Sequence, residues 1–414
     1  MNGVDATGEV EIASIAAGGE GVGRTGGLVL FVPRTAPGDL ARVSYRTGKR
    51  FAHARLESLV QSSGSRVEPA CRHYVVDRCG GCQLQHLAYD AQLDAKRGII
   101  RDAIVRVAKR QASLPDVRES DRPWRYRRKL TLAMRQAGGR WVMGLHRYDD
   151  PVGVFDLADC PITEEAVLEV WKSIRAVAGF LPRVPELRGA VQMGEHGASV
   201  LIEGAGAWPD HERFFAALPA IASLWWQPEK GRRRMLHSRA LDHSRTGASF
   251  TQVNATVATR LRDHVIGLAR AVAPVTAIDA YAGSGDTAVA LAGLGARVTA
   301  IEIDRDAAAR CGERLPAGSR AIAGAVEREL PGALPAELVL LNPPRAGMDA
   351  LASQALQDVV VAPRSLIYVS CDPATLARDL ARMPRYRIVS MLGFDMFPQT
   401  AHVETVCELS PEGA

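Results

Sequence analysis

Residues 275–304 read VTAIDAYAGSGDTAVALAGLGARVTAIEID, and this stretch decides the fold. A short apolar run, VTAIDA, ends near Asp279. Gly283 and Gly285 follow in a tight turn, an alanine-rich helical segment comes next, and RVTAIEID resumes the apolar pattern and leads to Glu302. Glycine permits a close turn from strand to helix and lets a ligand approach the backbone. The alternation continues through a helix from Asp304, then ELVLLN (337–342) and SLIYVSC (365–371). Short apolar strands separated by helices predict an α/β domain, a Rossmann-like, doubly wound, mostly parallel sheet that binds its ligand at its strand ends.

The polar residues at those ends narrow the ligand. The glycine turn lacks the third glycine of the dinucleotide fingerprint G-x-G-x-x-G. Asp279 and Asp286 flank it, which disfavours a pyrophosphate and favours a cation such as S-adenosylmethionine, a sulfonium with an amino acid tail. Glu302 closes the next strand, where a carboxylate can accept hydrogen bonds from ribose hydroxyls. Asn342 opens NPPR, whose two prolines predict a rigid loop holding the amide over the same crevice. NPP followed by an aromatic would suggest methylation of an exocyclic amine, but Arg345 stands in that place.

Upstream, residues 1–60 read as a small β-barrel, with runs such as GLVLFVP and ARVSYRTG between Gly and Pro punctuation. Residues 61–248 read as a central α+β domain, and 249–414 as the sheet domain. Within the central unit Leu93, Ile100, Ile104 and Val107 recur at helical spacing, on a helix with one basic face. The net charge is only +5, yet Lys96 to Arg147 holds 15 Lys and Arg against 4 Asp and Glu. The interleaved WRYRRKL (124–130), with a second basic loop KGRRRML from Lys230, suits phosphate contacts and base stacking. RNA or DNA is therefore the expected partner. There is no secretory signal and no apolar run of about 18 residues to span a bilayer, so a cytoplasmic chain without a membrane partner is expected.

Seven cysteines is an odd number for a disulfide framework. Cys71, Cys79 and Cys82 form C-x7-C-x2-C, with two glycines before the last, as a chain bending around a metal centre requires. Cys160 is the best fourth thiolate, because the remaining cysteines lie in the sheet domain. Zinc and a 4Fe-4S cluster both accept four thiolates, and spacing does not separate them. Cys371, in SCDPATLARD, sits where a buried strand runs out into a loop. A thiolate there could add to C6 of a pyrimidine, giving C5 the enolate character needed to take a methyl group. Glu404 is a candidate base for the C5 proton, with His402 two residues before it on the same strand face.

With these residues assembled, the chain resembles over nearly its full length the RNA uracil-C5 methyltransferase family, in the branch with an N-terminal TRAM domain and an iron–sulfur cluster. GEGVGRTGGLVLFVPRTAPGD is similar to the TRAM barrel, an OB-type RNA-binding fold, and CGGCQLQHLAYDAQL to the cluster segment. FTQVN, DAYAGSG, SCDPATLARD and HVE resemble the catalytic motifs, in the family's order. The resemblance implies a class I methyltransferase fold, with Cys371 as nucleophile and Glu404 as base. It implies that Gln252, Tyr281, Gly283, Glu302 and Asn342 stand at the S-adenosylmethionine site, that Cys71, Cys79, Cys82 and Cys160 hold a structural 4Fe-4S cluster, and that Phe250 stacks where the base is extruded. The implied substrate is a uridine in 23S ribosomal RNA, ahead of transfer RNA, and the implied state a monomer. Asn342 replaces the family's usual aspartate, which bears on rate more than on reaction type. Ala325 replaces its usual acid, and the first cysteine spacing is x7 rather than x5. Two other readings stay open: a cytosine-C5 enzyme, and a non-catalytic RNA-binding iron–sulfur protein.

Overall fold

The computed structural model describes residues 5–48, 50–194, 196–239 and 252–413. Phe250 lies outside the described residues. Strands Asp5–Ile15, Gly21–Thr25, Leu28–Val32, Leu40–Arg46 and Phe51–Gln61 close into a barrel in the order first, second, third, fifth, fourth. Alternation in these strands sends Val10, Ile12, Leu30, Val32 and Val43 inward, and they fill the barrel.

The central region is built on a six-stranded sheet. Arg234–Ser238 and Ile221–Gln227 form one edge, Gly197–Glu203, Glu186–Gly194 and Lys129–Ala137 the middle, and Arg140–Gly144 the other edge. Helix Glu165–Ala176 covers one face with Val167, Trp171 and Ile174.

The third unit is an eight-stranded sheet ordered Arg320–Ala323, Arg297–Glu302, Thr276–Ala280, Leu338–Leu341, Ser365–Ser370, Glu404–Pro411, Tyr386–Phe394 and Asp116–Arg118. The first five strands are parallel, and Glu404–Pro411 runs against both neighbours. Separate apolar cores lie around Leu341, Tyr368 and Leu376 and around Val298, Leu338 and Ile367, as a sheet with helices on both faces requires.

One crossing was not foreseen. Helix Tyr89–Arg106 and strand Asp116–Arg118, read from sequence as part of the central unit, join the sheet domain. Leu93, Ile100 and Ile104 are buried in that helix as its periodicity predicts, whereas Val107 is its exposed C-cap. Its basic face does not lie wholly in solvent. Lys96 is fully buried in an ion pair with Asp395, and Asp395 also accepts the Tyr89 hydroxyl at 2.7 Å. Gln92 exchanges hydrogen bonds with Gln399, accepting its N–H at 2.9 Å and donating to its side chain at 3.0 Å. The cysteine segment adds to this hold, since the N–H groups of Gln83 and Leu84 donate to the Gln399 carbonyl at 3.1 and 3.0 Å. The connection between Phe394 and Glu404 is thus gripped by the helix Tyr89–Arg106 and the cysteine segment, which are remote from it in the chain. Among the described residues no helix is long and apolar enough to cross a membrane.

Candidate active site

The carboxyl ends of the parallel strands open into a cleft of about 1080 Å³. Gln252, Tyr281, Gly283, Glu302 and Asn342 all line it. The backbone explains the glycine turn. Gly285 has φ +87°, and a Cβ there would collide with Cys311, while the space a Gly283 Cβ would take is open. Tyr281 also takes a left-handed φ of 65°. The Glu302 carboxylate accepts the N–H of Gly283 and of Asp304, both at 2.8 Å, and so sets the spacing between the first and second strand ends. Asp279 is buried beneath the turn and accepts the Thr287 hydroxyl at 2.5 Å. Burial pushes its pKa up to about 7 against the lowering effect of that bond. Asp286, Asp304 and Asp306 stand on the walls together with Arg262 and Arg310, so the cleft carries charges of both signs. Trp225, Gln227 and Arg233, from the edge of the central sheet, form part of the wall, a contribution no motif in the sequence announces.

Cys371 follows the strand Ser365–Ser370, and Glu404 begins the neighbouring antiparallel strand. Ser370 pairs with Thr405, so the thiol and the carboxylate emerge side by side at the sheet end. Glu404 is buried, and desolvation raises its pKa to about 7, opposed by the positive charge of Arg345. Burial raises the Cys371 thiol above its ordinary range; the Glu404 charge pushes it further and Arg345 draws it back. The positive charge of Arg345, in the NPPR loop, thus acts on both groups. His402 lies outside the strand, in the preceding loop, and packs edge-on against Phe397. The expected shared strand face with Glu404 is not formed, because the ladder begins only at Glu404.

Cys71, Cys79, Cys82 and Cys160 line one small cavity of about 60 Å³ with Leu130, Leu145, Leu157 and Ile162. Burial lifts the thiols of Cys71, Cys79 and Cys82, Cys79 to about 12, and the charges of neighbouring cysteines add to each rise. Among the described residues no three His, Cys, Asp or Glu side chains are arranged to hold a metal ion. Part of the basic run beside this cavity is also engaged within the protein. Arg125 is bidentate to Asp159 at 3.0 and 3.1 Å, Arg127 donates to the Lys129 carbonyl, and Tyr126 is buried with its hydroxyl on the Pro398 carbonyl at 3.0 Å. Arg97, Arg101 and Arg106 likewise pair with Asp94, Asp102 and Asp116.

A doubly wound sheet with a glycine turn and a carboxylate on the second strand is the layout of the Rossmann-like methyltransferases. A family model described as tRNA (Uracil-5-)-methyltransferase matches residues 333–411. The chain is 32% identical to an uncharacterised RNA methyltransferase of Thermosynechococcus vestitus, over 98% of both chains. It is 31% identical to the 23S rRNA (uracil(1939)-C(5))-methyltransferase of Halomonas elongata, over 98% of this chain and 90% of that one. Its fold is similar to the crystal structure of Pyrococcus abyssi tRNA (uracil-54, C5)-methyltransferase in complex with S-adenosyl-L-homocysteine, with a TM-score of 0.69 and 24% identity over 97% of this chain and 99% of that one. The chain belongs to the RNA uracil-C5 methyltransferase family.

Proposed function

We propose that this protein methylates C5 of a uridine in 23S ribosomal RNA, with Cys371 as nucleophile and Glu404 as base. The observation that carries the reading is the convergence of Cys371, Glu404 and Arg345 at adjoining strand ends of the sheet whose strand ends form the cleft. S-adenosylmethionine, bound along Gln252, Tyr281, Gly283, Glu302 and Asn342, supplies the methyl group as an electrophile. The Cys371 thiolate adds to C6 of the extruded uracil, and the electron pair released makes C5 nucleophilic. After methylation Glu404 takes the C5 proton, and the electrons of that C–H bond expel the Cys371 thiolate, restoring the double bond. Arg345 opposes the two negative charges that accumulate here. The ribosomal target rests on the resemblance to the Halomonas enzyme, at 31% identity.

Four thiols line the cysteine cavity, and their ionisation at neutral pH needs a compensating cation, which a zinc ion or a cluster would supply. The family resemblance favours the cluster. Cys71, Cys79, Cys82 and Cys160 would hold a 4Fe-4S cluster that braces the loop leading to Glu404 and takes no part in turnover.

Tritium release from RNA labelled at uracil C5 tests the reaction. The native protein with S-adenosylmethionine is expected to release it, and Cys371→Ala is expected not to. Methyl transfer to RNA without release would place the methyl group on cytosine, ribose or an exocyclic amine and overturn the proposal.

A further inference from the structure

The helix Pro373–Ala381, which follows Cys371, carries a charged residue where an apolar one would be expected: Asp379 is 0% exposed. A buried carboxylate is tolerated only when its lone pairs are engaged. Oδ2 accepts the Tyr368 hydroxyl at 2.7 Å and the Met348 N–H at 2.7 Å. Oδ1 accepts Arg378 at 2.7 and 2.9 Å and Arg382 at 3.3 Å. Arg378 reaches further and donates to the Ala346 carbonyl at 2.7 Å. Gly347, at φ +75°, passes so close that a Cβ there would strike both Arg378 and Asp379.

These bonds join three elements. Tyr368 belongs to the strand that ends at Cys371, Arg378 and Asp379 to the helix after it, and Ala346 to Met348 to the loop that carries Asn342 and Arg345. The loop's own ties are slighter: Asn342 N–H to the Ala280 carbonyl at 3.3 Å and Gly347 N–H to the Pro344 carbonyl at 2.8 Å.

We propose that Asp379, with Arg378, is a positioning residue that clamps the 342–348 loop to the Cys371 strand and thereby fixes the loop that carries Arg345 beside it. The inference rests on the role given to Cys371 above. Among the described charged groups that act on that thiol, Glu404 from the adjoining strand and Asp372 from its own segment disfavour the thiolate, and Arg345 favours it. Arg345 also faces Glu404 and His402, the latter together with Lys96, Arg127 and Asp372. Release of the loop would therefore move that favourable charge away from Cys371.

The test is the rate of iodoacetamide alkylation of Cys371 against pH in the full-length protein, followed by mass spectrometry of its peptide. Arg378→Ala and Asp379→Asn are expected to move the midpoint upward by about half to one pH unit, the scale of losing one nearby opposite charge. Arg378→Lys, which can still donate to Ala346, is expected to restore it. An unmoved midpoint in Arg378→Ala overturns the proposal even if Asp379→Asn does not fold, because Arg378 is partly exposed and its loss leaves the core filled. Tritium release, measured in parallel, is expected to fall about tenfold in both variants, the cost of misplacing a catalytic environment. A native enzyme that releases no tritium would refute the uracil reading, whereas the alkylation midpoint would still decide the clamp.

Discussion

Replacing Lys96 by methionine tests how firmly the helix Tyr89–Arg106 holds the loop that leads to Glu404. Lys96 and Asp395 are each 0% exposed and bonded to one another, and Lys96 also donates to the Phe397 carbonyl at 3.1 Å. Methionine keeps the volume and removes the charge. Asp395 is then left as a buried carboxylate whose remaining side-chain partner is the Tyr89 hydroxyl. Breaking one side of a buried pair costs about 3–5 kcal/mol. At about 2–4 °C per kcal/mol for a domain of this size, the melting temperature should fall by roughly 10 °C. Adding Asp395→Leu should recover most of the loss, since a buried pair exchanged for apolar groups is often neutral. Calorimetry of the native protein, the single and the double variant measures this directly, and tritium release should fall with Lys96→Met because the loop precedes Glu404. A single variant destabilised by less than about 1 kcal/mol, or a double variant as unstable as the single, would show that the pair is not the desolvated clamp described.

Glu404→Gln should stop the reaction after thiol addition, so that protein covalently joined to methylated RNA accumulates and is visible as a shifted band on denaturing gels. Because burial raises the Glu404 pKa to about 7, above its unfolded value, the residue favours folding at low pH and that contribution is lost as pH rises through 7. Glu404→Gln should therefore be more stable than the native protein at pH 8 and gain nothing at pH 4, as urea titrations at the two values would show. Gly285→Ala places a Cβ against Cys311 at φ +87° and should abolish S-adenosylhomocysteine binding by calorimetry while costing about 1–3 kcal/mol of stability. Anaerobically purified protein should carry about four iron atoms per chain, and Cys82→Ser should lose iron and lower the melting temperature together.

The sequence disclosed the catalytic sheet where its signals are local. Asp279, Glu302, Asn342 and Cys371 each stand at or just past the end of a short apolar strand, and those positions follow from alternation alone. It was silent where partners are remote. Nothing near Lys96 predicts that it is buried against Asp395, and the three-residue strand Asp116–Arg118 is too short to carry a period. The composition of WRYRRKL does not reveal that Arg125 meets Asp159 across the fold. Arg345 and Asp379 stood in quoted motifs, yet their roles depend on which loops the sheet brings together. The central sheet gave no clean period because Glu186–Gly194 buries four successive residues and so departs from two-residue alternation.

The pair between Lys96 and Asp395 joins residues 299 positions apart. At a synthesis rate of about 5–20 residues per second, roughly 15 to 60 seconds pass between the ribosome's release of the helix and the arrival of its partner strand. Throughout that interval Leu93, Ile100 and Ile104 have no sheet to cover them. The nascent chain thus carries a helix with uncovered apolar residues through most of its translation, and its yield in the cell should depend on chaperones that shield such segments more than on the stability of the finished enzyme.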